Sequence, residues 1–135
     1  MSEDRKRPSV FVVDDEPTIA ATLAMILRME GFASKSFNAP LAALQAARFD
    51  VPDVLITDIA MPGMSGVQLA IAFQRNYPDS KVILFSGNAH IARFIAEATA
   101  AGYSFDLLSK PVHPNELLLT VRTLLNGKSA PASTC

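Results

Sequence analysis

The chain has 135 residues, and 50% of them are hydrophobic. This composition suits a compact domain, and the length is enough for one domain but too short for two. Twelve Lys and Arg against thirteen Asp and Glu leave a formal net charge of −1, so no global field favours nucleic acid or an anionic membrane surface. The single cysteine, Cys135, excludes a disulfide framework within the chain. No apolar signal core or membrane-spanning run is present in the sequence. These features predict a cytoplasmic protein without membrane insertion or direct nucleic-acid binding.

Short β-branched runs alternate with longer segments of helical period, a pattern typical of βαβ units and a parallel sheet. In chain order, five strands are predicted at 9–13, 32–37, 54–57, 81–85 and 105–108. Five helices are predicted at 17–30, from a cap at Asn38 to Arg48, from Ser65 to the residues before Tyr77-Pro78, from a cap at Asn88 to Gly102, and at 114–125. The folded unit should span 9–126, between a flexible N-terminus at 1–8 and a disordered tail at 127–135.

Polar side chains stand at the ends of four predicted strands. Asp14 and Asp15 follow the first strand, Asp58 the third and Ser86 the fourth, and Lys110 lies just beyond the fifth. Parallel strands joined by right-handed crossovers place their carboxyl ends on one edge of the sheet. In open α/β sheets that edge is where ligands bind. We therefore expect these five side chains to converge.

Three carboxylates at close range repel one another, so a low-dielectric cleft that holds them needs a cation. Oxygen ligands without His or Cys favour magnesium over zinc, and magnesium commonly uses only one or two protein carboxylates. Asp58 would then stay partly free. A carboxylate beside Mg²⁺ and the Lys110 ammonium is equipped to attack phosphorus and form an acyl phosphate. The Ser86 hydroxyl would donate to a phosphoryl oxygen.

Each of these residues taken alone also has an ordinary structural explanation. An Asp after a strand is often a turn former or a helix N-cap. A lone Lys110 is often only solvated, and Ser86 before Gly87 is typical of a turn. Only their joint placement favours a functional site.

The chain resembles the receiver domain of bacterial two-component response regulators in an ordered set of motifs. These motifs are Val-Val-Asp14-Asp15-Glu16, Asp58-Ile-Ala-Met-Pro62-Gly63-Met-Ser-Gly66, Ser86-Gly87 and Lys110-Pro111. The resemblance covers residues 8–125. It implies a doubly wound (βα)5 flavodoxin-like α/β fold, with a five-stranded parallel sheet of order 2-1-3-4-5 and helices on both faces.

The resemblance also implies roles for individual residues. Asp58 would be the phosphoacceptor, receiving a phosphoryl group from a histidine kinase or a histidine phosphotransfer protein. Ser86 and Lys110 would bind the phosphoryl oxygens, and the Lys110-Pro111 bond is often cis in this family. The metal ion would be Mg²⁺, which Asp14, Asp15, Asp58 and the backbone carbonyl of Ala60 would help to hold.

Phosphorylation in such proteins shifts a population between two conformations. Ser86 would move toward the new charge and repack the face formed by the fourth helix, fifth strand and fifth helix, where a downstream protein effector would dock. Two departures from the family pattern bear on this step. Leu107 stands where the family usually has Tyr or Phe, and Gly102 lies one residue further from Lys110 than usual, which leaves Phe105 as a substitute aromatic. We expect weak or altered coupling.

The short segment after residue 125 predicts a stand-alone receiver, a signalling domain rather than a conventional enzyme. It would act as a phosphorelay intermediate or dock on a separate protein when phosphorylated, and the sequence leaves both open. One alternative is a receiver-like docking module that is never phosphorylated. Another is a Mg²⁺-dependent phosphohydrolase with an aspartyl nucleophile. Against the hydrolase, Asp58-Ile-Ala60 lacks the second acid two residues on that the common haloacid-dehalogenase-like pattern uses.

Overall fold

The computed structural model describes residues 7–87, 91–103 and 105–126, and for residues 91–94 it describes the backbone alone. Strands and helices alternate along the chain. The strands are β1 (Ser9–Val13), β2 (Ala33–Phe37), β3 (Val54–Asp58), β4 (Lys81–Ser86) and β5 (Asp106–Ser109). The helices are α1 (Pro17–Met29), α2 (Pro40–Ala47), α3 (Gly66–Asn76), α4 (Ile91–Ala100) and α5 (Pro114–Leu125).

The five strands form one parallel sheet of order β2-β1-β3-β4-β5, which confirms the fold that the resemblance implies. Alternate residues of β1 face opposite sides of this sheet. Val10 and Val12 pack with the buried residues of α1 and α5, whereas Phe11 and Val13 pack with those of α2 and α3. Both faces of the central strands are therefore buried, as expected of a parallel sheet covered by helices.

The predicted cap of α2 is wrong by one residue. Ala39, not Asn38, occupies the N-cap position, and it has an extended backbone with φ −150° and ψ 139°. Proline fits the first turn of a helix and disfavours helical geometry in the residue before it. Pro40 therefore sets the start of α2.

Ser65 caps α3 as predicted, through a reciprocal pair of hydrogen bonds. The Ser65 hydroxyl accepts from the Gln68 backbone N–H at 3.1 Å, and the Gln68 side-chain oxygen accepts from the Ser65 N–H at 2.9 Å. This capping box satisfies two N–H groups that the helix leaves without partners. The first turn of α3 is thereby fixed directly after the loop that follows β3.

Apart from those of α4, the remaining boundaries differ by a residue or less from those expected. The strand β5, for example, begins at Asp106 rather than 105 and ends at Ser109 rather than 108. Gly102 follows α4 with φ +89°, which supports the prediction that it terminates the helix. Asn88, residues 1–6 and the tail at 127–135 lie outside the described residues, so the predicted cap and disordered termini stay predictions. None of the described helices has the length and apolar content needed to cross a membrane.

Candidate functional site

The carboxyl edge of the sheet brings the predicted acidic residues and the lysine together. The Lys110 Nζ atom lies 3.4 Å from Asp14 Oδ2 and 3.4 Å from Asp58 Oδ2. One carboxylate oxygen from each of Asp14, Asp15 and Asp58 falls within 4.8 Å of the others. Asp58 is the last residue of β3, one residue beyond the predicted end of that strand.

Ser86 also lies at this edge, as the last residue of β4, and its backbone carbonyl accepts a hydrogen bond from the Lys110 N–H at 3.0 Å. It is buried. Ala60 is exposed in the loop two residues after Asp58. The Lys110-Pro111 peptide bond is cis, in agreement with the resemblance.

The two carboxylate oxygens of Asp14 have different surroundings, one typical of a turn and the other of a ligand site. Its Oδ1 atom accepts a hydrogen bond from the Glu16 N–H at 2.9 Å, which is the turn-forming role expected of an Asp after a strand. Its Oδ2 atom is fully buried and has no hydrogen-bond partner within the described part of the chain, although it faces the Lys110 ammonium. A buried polar atom without a hydrogen bond is costly. This oxygen is therefore a candidate ligand for a cation, beside its ion pair with Lys110.

Burial sets the titration behaviour of the cluster. Burial raises the pKa of the Asp14 carboxyl, against the opposing effects of the Glu16 N–H and Lys110. Burial and the charge of Asp14 likewise raise the pKa of Asp58. Burial lowers the pKa of Lys110, but Asp58 and Asp14 outweigh it, so the net pKa is raised and the lysine stays protonated. Three carboxylates thus lie close together, two of them contact the single ammonium, and the site favours an additional cation.

The residues fit a hard divalent cation. Its ligands would be oxygens, and Asp14 Oδ2 offers a buried one without a hydrogen bond. Oxygens that share one Mg²⁺ ion lie roughly 3–4 Å apart, so the spacing of up to 4.8 Å here needs only small side-chain movements. Asp14, Asp15 and Asp58 are the side chains able to hold the ion.

The backbone of Asp58 is crowded by the start of α3. A Cβ atom on Gly66 would lie 1.9 Å from the Asp58 carbonyl oxygen, so only glycine fits. The Gly66 N–H donates to the Ile59 carbonyl at 2.8 Å, and the Thr57 hydroxyl donates to the Asp58 carbonyl at 3.0 Å. Sequence reasoning assigned no role to Gly66 or Thr57. The sequence signals for Gly66 were its place directly after the Ser65 cap and at the end of the motif that begins at Asp58.

An apolar groove of about 470 Å³ opens beside the lysine, and it was not predicted. It lies between the first turns of α1 and the loop after β5. Its lining residues are Thr18, Ile19, Thr22, Leu23, Phe85, Lys110, Pro111 and Val112. The edge of the sheet that carries Lys110 is therefore continuous with an apolar groove.

Leu107 lies on the edge strand β5 and is 36% exposed. Phe105 packs against the apolar cluster under α2 and α3, and its ring stacks on Tyr103 with centroids 5.8 Å apart and planes 6° apart. An aromatic side chain is therefore present two residues before Leu107. That Phe105 replaces the usual aromatic in coupling phosphorylation to the effector-binding face stays a prediction.

The chain is thus a doubly wound α/β domain with an acidic cluster and a lysine at the carboxyl edge of its sheet. The family model for the response regulator receiver domain matches residues 10–122, and the chain belongs to this family. Receiver domains are the signalling domains of two-component response regulators.

The transcriptional regulatory protein CreB of Escherichia coli is 36% identical over 121 residues, which are 89% of this chain and 52% of that protein. The probable transcriptional regulatory protein TcrX of Mycobacterium tuberculosis is 34% identical, over 90% of this chain and 51% of TcrX. The chain thus spans about half the length of these curated relatives, and the stand-alone expectation stays a prediction. Among solved structures, the signal receiver domain of an HD domain-containing protein from Pseudomonas fluorescens has a TM-score of 0.83 and 29% identity, covering 90% of this chain and 97% of that one.

The raised pKa values of Asp14 and Asp58 predict how the stability of the metal-free protein changes with pH. Because folding raises both values, the folded chain binds more protons than the unfolded chain between the ordinary and the raised pKa. The free energy of unfolding therefore falls as the pH rises through that window. Asp58→Asn removes one of the two groups, so its stability should fall less steeply and exceed that of the wild type at neutral pH by about 1 kcal/mol.

Urea unfolding in EDTA, from mildly acidic to neutral pH, measures this difference. Asp79→Asn is the control, because Asp79 is exposed in the turn before β4. Wild type and Asp58→Asn curves that run parallel across the whole range would show that the Asp58 charge is not destabilising.

Proposed function

We propose that the chain accepts a phosphoryl group on Asp58, in a reaction that depends on Mg²⁺. The observation that carries this proposal is the contact of one lysine ammonium with two buried carboxylates, 3.4 Å from an oxygen of each. Asp58, the last residue of the central strand β3, is the proposed nucleophile. Membership of the receiver family supports the same assignment.

One oxygen of Asp58 would form a bond to phosphorus while the bond from phosphorus to the donor breaks. With a phosphohistidine donor, the imidazole nitrogen leaves with the electron pair of that bond, and an acyl phosphate remains on Asp58. The Lys110 ammonium screens the phosphoryl oxygens, and the Ser86 hydroxyl donates to one of them. Bound Mg²⁺, held by Asp14, Asp15, Asp58 and the Ala60 carbonyl, would supply further charge neutralisation.

The donor would be a histidine kinase or a histidine phosphotransfer protein. The receiver unit, proposed to span 9–126, would signal to an effector protein or domain through the face formed by α4, β5 and α5. The exposed Leu107 belongs to this face. Because the formal charge is −1, the unit would contact protein rather than nucleic acid. The relatives named as transcriptional regulators are about twice as long as the matched segment.

Binding of beryllofluoride, a mimic of the phosphoryl group, tests the proposal without turnover. A fluorine NMR signal of the bound ion should appear with wild-type protein and Mg²⁺. It should disappear with EDTA or with Asp58→Asn. A bound signal that survives Asp58→Asn would place the acceptor elsewhere. Release of inorganic phosphate from a phosphate ester over many turnovers would instead favour the hydrolase.

A further inference from the structure

We propose that Thr57 is a positioning residue for the phosphoacceptor, and this inference rests on the proposed function of Asp58. Its hydroxyl would hold the carbonyl group of Asp58 and thereby fix the turn that leads to Ala60. Thr57 would touch neither the metal nor the phosphoryl group. It acts through the backbone of its neighbour.

The burial of a hydroxyl at this position needs an explanation. Thr57 is fully buried in β3, where its register partners are Val13 and Leu84. Both partners belong to the apolar cluster under α2 and α3. Valine has nearly the same shape as threonine and would fill this place without a buried polar atom. Valine would therefore satisfy the packing at this position. The hydrogen bond to the Asp58 carbonyl, in contrast, needs the threonine hydroxyl.

Three hydrogen bonds hold the chain where it leaves β3. The Ile59 N–H donates to the Phe85 carbonyl at 3.0 Å, and the Gly66 N–H donates to the Ile59 carbonyl at 2.8 Å. The Thr57 hydroxyl donates to the Asp58 carbonyl at 3.0 Å. Of the three, only the Thr57 bond comes from a side chain, so it is the one that a substitution removes cleanly.

The peptide group held by Thr57 joins Asp58 to Ile59. If it rotates, it changes the direction of the Asp58 side chain, whose Oδ2 atom lies 3.4 Å from Lys110 Nζ. It also moves Ala60, whose carbonyl is a proposed metal ligand. Groups that hydrogen-bond to metal ligands and so orient them commonly increase metal affinity by about 10- to 100-fold. Loss of the Thr57 hydroxyl should therefore weaken Mg²⁺ binding.

Two substitutions separate the hydroxyl from the shape of the side chain. Thr57→Val keeps the shape and should raise the Kd for Mg²⁺ by about 10-fold, whereas Thr57→Ser keeps the hydroxyl and should leave it within about twofold. Calorimetric titration with Mg²⁺ alone measures these values. In the metal-free protein, amide hydrogen exchange at Ile59 and Gly66 should be faster in Thr57→Val than in Thr57→Ser.

Ser80→Ala is the matched control. The buried Ser80 hydroxyl donates to the Pro52 carbonyl at 2.7 Å, at the opposite edge of the sheet from Asp58. This substitution should lower the melting temperature without changing the Kd. Thr57→Ala, which cannot crowd the site, should weaken binding as Thr57→Val does, and it replaces that variant if Thr57→Val does not fold.

Each outcome decides the matter. A Kd unchanged in Thr57→Val, or raised equally in Thr57→Val and Thr57→Ser, would overturn the positioning role and leave the function of Asp58 intact. A wild-type protein that does not bind Mg²⁺ would overturn the proposed function and the positioning role together. The wild-type titration distinguishes the two failures.

Discussion

Replacing Lys110 by alanine is expected to slow phosphorylation of Asp58 by acetyl phosphate by about 100- to 1,000-fold at saturating Mg²⁺. The ammonium is the one cationic side chain that contacts two buried carboxylates in the described part of the chain. As the phosphoryl group approaches Asp58, its oxygens bring further negative charge into this cluster. Without Lys110, Mg²⁺ and the Ser86 hydroxyl would have to stabilise that charge.

Removing Lys110 should also change the pH dependence of phosphorylation. Lys110 lowers the pKa of Asp58, although burial and Asp14 outweigh it. In Lys110→Ala that effect is lost and the pKa of Asp58 rises further. Since the ionised carboxylate is the nucleophile, the rate should reach its plateau at higher pH than in the wild type.

The measurement is the rate of appearance of phosphorylated protein, followed by mass spectrometry over a range of pH. Lys81→Ala is the control, because Lys81 is exposed at the amino end of β4. Its rate should equal that of the wild type. A fall of less than about threefold in Lys110→Ala would contradict electrostatic stabilisation by the lysine, which is ordinarily far larger.

Gly66→Ala is expected to destabilise the fold by about 3 kcal/mol, a drop in melting temperature of about 10 °C for a domain of this size. A Cβ atom there would lie 1.9 Å from the Asp58 carbonyl oxygen and 2.8 Å from the Ile59 Cα atom. These are backbone atoms, so no side-chain rotation relieves the clash. Either the start of α3 or the end of β3 must move.

Thermal and urea unfolding measure this cost. Gly87→Ala is the matched control, since a Cβ atom at Gly87 would meet no atom of the described residues within 4 Å and its φ is not positive. That variant should lose less than about 0.5 kcal/mol. Equal stability of Gly66→Ala and the wild type would mean that the close approach of α3 to Asp58 is absent in solution.

The fold was largely predictable because its signals are local. The apolar spacing of α1, the proline at the start of α5 and the β-branched runs each mark an element without reference to the rest of the chain. The sheet order came from the resemblance, since local patterns do not state which strands are neighbours. The error at Asn38 arose because a capping preference competed with the stronger geometric constraint of Pro40.

The charged residues of the candidate site were predictable from the sequence. The residues that hold the backbone around them were not. Asp14, Asp58 and Lys110 lie at strand ends, and parallel topology then brings them together. The roles of Thr57 and Gly66 depend on which backbone atoms approach each other across the β3–α3 connection. The spacing of residues along the sequence does not reveal the distance between these backbone atoms. The groove beside α1 likewise depends on how a helix and a loop face each other.

Every role proposed for this site depends on phosphorylation of Asp58, which intact mass after incubation with acetyl phosphate and Mg²⁺ measures. We expect the mass of one added phosphoryl group on the wild-type chain, absent from Asp58→Asn and absent when EDTA is present. Addition to Asp58→Asn, or no addition to the wild type under any condition, would show that Asp58 is not the acceptor.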